Sequence, residues 1–123
     1  MYLQTVITGI GPEVADMAEG GVVILFADGA PPELAEVSVL HKTVEEPSAK
    51  QPPVGAAVRI GSIAVKITGI GPTAWAKMTS MGHIVFAFNG GDASDRPGEI
   101  CVTEVPLAEL LGQLKAGIRI TVG

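Results

Sequence analysis

The sequence predicts an all-β fold: a small, closed or nearly closed antiparallel β-barrel made of two pseudo-twofold-related repeats, with short helices at its rim. Three observations support this prediction. The apolar content is mostly Val, Ile, Leu and Ala, and aromatic residues make up only 4% of the chain. Sixteen glycines and nine prolines suit many short strands joined by tight turns. A hexapeptide also recurs sixty positions further on.

The repeat extends beyond that hexapeptide. Residues 7–12 (Ile-Thr-Gly-Ile-Gly-Pro) recur as residues 67–72, and the same offset relates the Arg-Ile pair at 59–60 to the pair at 119–120. We therefore interpret residues 1–123 as one domain with internal repeats of approximately 5–60 and 65–120. One such unit cannot bury its apolar face alone, whereas two copies can close a sheet on itself and remove its exposed edges.

Each repeat predicts the same order of elements: an alternating strand, a helix opened by Gly-Pro, a strongly apolar strand, a further strand and a closing strand. The first repeat places them at residues 5–10, 12–18, 22–27, 36–43 and 58–60. The second places them at 63–70, 72–80, 83–88, 99–105 and 118–122. One more helical turn is expected within residues 106–114.

Composition argues against several classes of function. The net charge is −5 and Lys and Arg do not cluster, so we expect no nucleic-acid partner. The apolar runs are far shorter than the roughly 20 residues of a membrane span. The N-terminus lacks the pattern of a secretion signal, and the lone Cys101 rules out an internal disulfide framework. We therefore expect a cytoplasmic protein.

Few residues of the chain are suited to chemistry. Phosphate-loop, dinucleotide-binding, Cys-x-x-Cys and His-Glu-x-x-His motifs are all lacking from the sequence, so we expect no cofactor. His41, His83 and Cys101 remain. A metal site made of these three is conceivable, but their spacing does not support it. A Cys101 nucleophile is disfavoured because a lone cysteine is more often a buried structural residue.

His41 is the strongest candidate. It lies late in a predicted strand, on the face of Val37 and Val39, just before a polar loop at residues 45–53. Under the sixty-residue offset His41 falls on Cys101 and His83 falls on Val23, so neither histidine is required by the repeat. A purely structural histidine, and a plain connecting role for the loop, remain open at this level.

The residues leading to and following these positions resemble a known family. They are the run at 29–36 before His41, the Gly82-His83 strand start with Asn89-Gly90 at its end, and Pro97-Gly98. Together they look like the glucitol/sorbitol-specific IIA component of the bacterial sugar phosphotransferase system. The resemblance implies a cytoplasmic phosphotransferase component that takes a phosphoryl group from the histidine phosphocarrier protein HPr. It would pass the group to a sugar-specific IIB domain, and would meet the membrane only indirectly, through the IIC component.

By position, the resemblance makes His41 the phosphoryl acceptor. The chemistry suits a histidine, because a neutral imidazole nitrogen is nucleophilic near pH 7. Catalysis of phosphoryl transfer is mostly positioning and charge stabilisation, so a few donors are expected around the phosphate. Lys42, His83 and backbone N–H groups are candidates, although strand alternation places Lys42 on the face opposite His41. The alternatives are a regulatory or binding barrel without phosphotransfer, and a small-ligand-binding barrel.

Overall fold

The computed structural model describes residues 1–92 and 96–123, and within these residues eight strands close into one barrel. The strands are β1 (Leu3–Ile10), β2 (Val22–Ala27), β3 (Ser38–Thr43), β4 (Ala57–Ile60), β5 (Ile63–Ile70), β6 (Ile84–Ala87), β7 (Glu99–Val102) and β8 (Arg119–Val122). The helices are α1 (Val14–Glu19), α2 (Pro32–Ala35), α3 (Ala74–Met81) and α4 (Leu107–Gln113). None of the helices in these residues is long and apolar enough to cross a bilayer.

The barrel is the predicted fold, but its strands are not all antiparallel. Around the barrel the order is β1-β3-β2-β6-β7-β5-β4-β8. Of the eight pairings between described strands, six are antiparallel, whereas β2–β3 and β6–β7 are parallel. The expectation of an antiparallel barrel is therefore wrong at these two pairs. In the first pair the reason is that the chain after β2 crosses over through α2, which the sequence did not predict, and re-enters the sheet beside β2 in the same direction.

Alternation along the strands fills the barrel. On β1, Leu3, Thr5 and Ile7 are buried while the residues between them are partly exposed. The same period of two recurs on β5, where every second residue is buried from Ile63 onward. These side chains, with those of the other strands, form one core cluster in which Phe86 is completely buried. The apolar content of the sequence is therefore used mainly to fill the interior, as expected for a barrel of eight strands.

Equivalent positions in the two halves of the barrel are not all separated by the same number of residues. Val23 and Leu25 of β2 are buried, as are Ile84 and Phe86 of β6. The inward-facing residues of β6 therefore lie sixty-one residues after those of β2, rather than sixty. α1 and α3 begin sixty residues apart and each is followed by a linker of two residues, whereas α3 is longer than α1, so the additional length lies in α3. The shift persists in the next strand, because β1 pairs Ile7 with His41 whereas β5 pairs Ile67 with Val102.

This slip corrects one expectation about the histidine. On the β1 and β5 ladders His41 corresponds to Val102 and not to Cys101. Cys101 lies one residue earlier and on the other face of its strand, beside Ala87. The duplication itself stays a prediction, and the structure relates its two halves through different offsets in different strands.

Candidate functional site

His41 lies near the end of β3, directly opposite Ile7 of β1 and beside Ala27 of β2. Its side chain is on the same face as Val39, so it points toward the barrel interior rather than outward. Only 2% of the residue is exposed. A buried imidazole needs hydrogen-bond partners for both nitrogens, because an unpaired polar atom in an apolar interior is costly.

Both ring nitrogens have such partners. Nδ1 lies 2.6 Å from the hydroxyl oxygen of Thr5, and Nε2 lies 2.7 Å from the carbonyl oxygen of Gly82. A carbonyl oxygen only accepts, so Nε2 carries the proton and donates it to Gly82. In a neutral ring Nδ1 then has the lone pair and accepts from the Thr5 hydroxyl. This is the one neutral tautomer that satisfies both contacts.

Gly82 is placed for this contact by the end of α3. It caps the helix with φ of +66°, a left-handed conformation that glycine adopts without strain, and its N–H donates to the carbonyl oxygen of Met78. A Cβ at this position would come within 2.9 Å of the Ala27 side chain. Gly82, which follows the helix predicted at residues 72–80, is therefore also the residue that holds His41.

An open pocket of about 500 Å³ lies in front of His41. Its walls are the last residues of α3 up to Gly82, the end of β2 with Asp28, and the end of β3 with Lys42 and Thr43. Pro47 completes the wall from the loop that follows β3. The Thr5 contact of His41 is fully buried, whereas the Gly82 contact is only part-buried, so Nε2 is the nitrogen on the side of the pocket.

The proline-rich loop at residues 45–53 is tied to the barrel. Trp75 of α3 donates its indole N–H to the carbonyl oxygen of Ser48 at 2.7 Å. The N–H of Ser48 in turn donates to the carbonyl oxygen of Tyr2 at 2.9 Å, and that of Val44 donates to Gln4 at 2.8 Å. These contacts hold Pro47 in place as a wall of the pocket, so the loop is an organised part of the site.

Burial keeps His41 neutral. Desolvation lowers the pKa of the imidazole below its usual value of 6.5, and the hydrogen bond to the Gly82 carbonyl opposes this only in part. The C-terminal end of α3 also points its partial negative charge toward this region, which favours any positive charge that develops on the ring. His41 is therefore neutral near pH 7, with its proton on Nε2 and its lone pair on Nδ1.

The lowered pKa predicts a pH dependence of stability. Unfolded histidine binds a proton below about pH 6.5, whereas folded His41 resists protonation until a lower pH. The stability from this difference is present above the unfolded pKa and is lost as pH falls through the folded one. The melting temperature should therefore fall from pH 7 to pH 5, a window above the range where most carboxylates titrate.

His41→Gln should flatten this dependence, because it removes the titrating ring. A melting temperature that does not change between pH 7 and pH 5, or an equal slope in wild type and His41→Gln, would contradict this account. His83 contributes in the same direction, since burial and then the positive charge of Lys77 lower its pKa as well. His83→Gln is therefore measured together with His41→Gln, and should keep most of the fall in melting temperature between pH 7 and pH 5.

His83 and Cys101 do not share the pocket of His41. The His83 ring packs edge-on against Phe26 with centroids 5.2 Å apart, and His83 is not among the residues that line the pocket. Cys101 lies in a different pocket, with its thiol 3.8 Å from a carboxylate oxygen of Glu99. Within residues 1–92 and 96–123, no group of three or more His, Cys, Asp or Glu side chains is arranged to hold a metal ion.

Sequence reasoning missed the two partners of His41. Thr5 appeared only as the start of a strand, and Gly82 only as part of a resemblance. A signal for Thr5 was present: it is a hydroxyl residue between Leu3 and Ile7 on the inward face of an alternating strand. Such a hydroxyl has to find a buried partner. The sequence does not say that the partner of this hydroxyl is His41, 36 residues away.

The fold and the site together describe a closed barrel with one buried, neutral histidine facing an open pocket. A solved structure with the same fold is the IIA component of a phosphotransferase system from Enterococcus faecalis V583. It matches with a TM-score of 0.79, covers 97% of this chain and 98% of its own, and is 21% identical in sequence. The class of fold is therefore that of a phosphotransferase-system IIA component.

The sequence comparisons are more specific. The family model of the glucitol/sorbitol-specific IIA component matches residues 2–121. The glucitol/sorbitol-specific EIIA components of Shigella flexneri and Escherichia coli (strain K12) are each 30% identical over 99 residues, which is 80% of this chain and 79% of theirs. This chain belongs to the family of glucitol/sorbitol-specific IIA components. Membership supports a phosphocarrier role within a phosphotransferase system.

Proposed function

We propose that this chain is a phosphohistidine carrier in which His41 accepts a phosphoryl group and passes it on. The observation that supports this most directly is the state of the His41 ring. It is neutral, it is held on both sides by hydrogen bonds, and its Nε2 lies at the wall of an open pocket. Nε2 can attack phosphorus from the other neutral tautomer, in which the proton is on Nδ1 and the lone pair is on Nε2.

Nε2 is the acceptor atom in this proposal. Nδ1 is enclosed with Thr5 in the barrel interior, where a phosphoryl group has no room. On transfer, a bond forms between Nε2 and phosphorus as the bond from phosphorus to the donor breaks, and its electron pair stays with the donor. Before the attack Nε2 gives up its proton to solvent through the pocket and Nδ1 becomes protonated, donating to the Thr5 hydroxyl oxygen, so that Nε2 has the lone pair. The hydrogen bond to Gly82 is lost in this change. After the attack the ring releases one proton to solvent and the donor takes one up.

The proposed partners are those that membership of the family suggests. The donor is the phosphorylated histidine protein HPr, and the acceptor is a cysteine of the sugar-specific IIB component. The membrane component IIC then moves the hexitol, glucitol (also called sorbitol), as it is phosphorylated. The carrier works in the cytoplasm, where these partners meet. A histidine-to-histidine handover is close to balanced in free energy, so the site needs to position the phosphoryl group rather than bind it tightly.

Two side chains are proposed to stabilise the phosphoryl group. Lys42 lines the pocket and is exposed, so its long side chain can reach a phosphate bound at Nε2 even though it starts on the outer face of β3. His83 adjoins Gly82 but packs on Phe26, so its role as a phosphate-stabilising residue stays a prediction. Asp28, which also lines the pocket and donates its backbone N–H to the His41 carbonyl oxygen, limits how tightly an anion is held, which suits a group that has to leave again.

The test is phosphorylation in a purified system. The chain is incubated with phosphoenolpyruvate and the two general phosphotransferase proteins, enzyme I and HPr, and its intact mass is read under mildly alkaline conditions. We expect one added phosphate that is lost in acid, as a phosphohistidine should be. Addition of a purified glucitol-specific IIB component should then remove it, and an otherwise identical IIB protein without its cysteine should not.

The controls decide between the carrier and its alternatives. Omission of HPr should prevent uptake, and another IIA protein serves to show that enzyme I and HPr are active. If that protein is phosphorylated and this chain is not, the carrier proposal is overturned and a regulatory or binding barrel is the better account. Binding of free hexitol, measured by isothermal titration, would instead indicate a ligand-binding barrel.

A further inference from the structure

The hydroxyl of Thr5 is an unusual group in the barrel interior. Thr5 is completely buried in the middle of β1, between the inward-facing side chains of Leu3 and Ile7. Its hydroxyl oxygen lies 2.6 Å from Nδ1 of His41. A valine has nearly the same shape and would avoid the cost of burying a hydroxyl, so packing alone does not account for a threonine here.

The second half of the barrel has no histidine at the position equivalent to His41, so it shows which residue occupies the position of Thr5 in that case. On β5, Val65 occupies the place that Thr5 has on β1, two residues before the isoleucine of each ladder. On β7, Val102 occupies the place of His41, opposite Ile67. Both valines are buried. The threonine and the histidine therefore occur together in one half and are both replaced by valine in the other.

The two hydrogen bonds of His41 differ in what happens to them during transfer. The Gly82 carbonyl can only accept, so it loses its partner when the Nε2 proton is replaced by phosphorus. The Thr5 hydroxyl both donates and accepts. It can donate to Nδ1 while the ring is neutral, and can accept from Nδ1 when that nitrogen is protonated. Of these two bonds, the one to Thr5 can therefore persist through the whole cycle.

We propose that Thr5 is the positioning residue for His41: it holds Nδ1 in the barrel interior, keeps Nε2 toward the pocket, and so determines which nitrogen takes the phosphoryl group. This inference rests on the proposed carrier function. Thr5 does not touch the phosphoryl group or the partner protein. It acts through the ring, by fixing its orientation before the donor arrives and after the Gly82 contact is lost.

The test compares Thr5→Val with Thr5→Ser, which keeps the hydroxyl. In Thr5→Val the maximal rate of phosphoryl uptake should fall about 10- to 100-fold, the scale expected when a reacting group is misplaced by about 1 Å. The KM for HPr should not change, because Thr5 is buried away from any partner. The wild-type phosphohistidine should be the Nε2 isomer alone by phosphorus NMR, and Thr5→Val should also form the Nδ1 isomer. Thr5→Ser should restore both readouts toward wild type.

A second readout does not depend on transfer. Nitrogen NMR of the unphosphorylated protein should show His41 as the Nε2–H tautomer, and Thr5→Val should give a mixture of tautomers. If wild type takes no phosphate but this difference is found, the carrier function fails while the positioning role stands. Thr121→Val, on β8 opposite Gln4, is the control for a Thr-to-Val change elsewhere in the barrel and should resemble wild type.

Two results would overturn the proposal. One is a folded Thr5→Val protein with wild-type rate, one phosphohistidine isomer and one tautomer. The other is a Thr5→Ser protein that behaves like Thr5→Val, since the hydroxyl would then not be the group that matters. If Thr5→Val does not fold, Thr5→Ala takes its place in the same comparison with Thr5→Ser. A Thr5→Ala protein with wild-type phosphoryl uptake and a single phosphohistidine isomer would then overturn the proposal.

Discussion

His41→Gln is expected to abolish phosphoryl uptake while the barrel stays folded. The amide of glutamine can imitate both contacts of the ring: its NH₂ group can donate to the Gly82 carbonyl, and its oxygen can accept from the Thr5 hydroxyl. What it lacks is a nucleophilic nitrogen lone pair, so no phosphate can be bound covalently. The measurement is intact mass after incubation with phosphoenolpyruvate, enzyme I and HPr, together with the melting temperature at pH 7.

His83→Gln is the matched control for that experiment, because it changes the other histidine in the same way. It should still accept one phosphate. A wild-type rate in His83→Gln removes His83 from the phosphate-stabilising residues, whereas a slower rate with the same final mass supports that role. Uptake of phosphate by a folded His41→Gln protein would show that a different residue is the acceptor, and the site described above would be wrong.

Gly11→Ala is expected to be the most destabilising of the conservative substitutions considered for this chain, at about 3 kcal/mol or more. A Cβ at Gly11 would come far inside van der Waals distance of the Ala35 and Glu36 backbone carbonyls. Both contacts are with backbone, so no side chain can rotate away. The N–H of Gly11 also donates to the Ser38 carbonyl at 3.0 Å, and moving the chains apart would break this bond at the start of β3.

Gly9→Ala is the matched control for Gly11→Ala, since it lies two residues earlier in the same Gly-Ile-Gly segment. A Cβ at Gly9 would meet Leu40 side-chain carbons at 3.7 and 3.9 Å, which is ordinary contact. It should therefore change the free energy of unfolding by less than about 1 kcal/mol. Urea unfolding of the two variants and wild type measures the difference. A Gly11→Ala protein as stable as Gly9→Ala would mean that this turn relaxes easily and does not hold β1 close to the start of β3.

The strand pattern of the fold was predictable because it is local. Alternation of apolar residues placed β1, β5 and β8 to within two residues at each end, and Gly-Pro placed the helices that follow β1 and β5. The strand bearing His41 was also predicted, although its start was set two residues early. The short helix α2 was missed, since four residues at Pro32–Ala35 leave too little periodicity to detect.

Register was less predictable, as the two halves show. The identities at a sixty-residue offset suggested that His41 corresponds to Cys101, but additional length in α3 moves β6 and β7 by one position. Because side chains alternate between the two faces of a strand, a slip by one residue exchanges inside and outside. Cys101 is thereby placed on the face opposite to the one that His41 occupies. The sequence contains this additional length, but only the packed barrel shows where it is accommodated.

The candidate site divides in the same way. The sequence by itself limited the candidate nucleophiles, because few side chains of this chain can act as one near pH 7, and it placed His41 at a strand end beside a polar loop. Only the tertiary structure decided the state of that histidine. Thr5 and Gly82 lie 36 and 41 residues from it and reach it through barrel closure and a helix end. Their hydrogen bonds and the desolvation of the ring set its tautomer and its pKa. These properties arise from groups brought together by folding, and no local pattern along the chain encodes them.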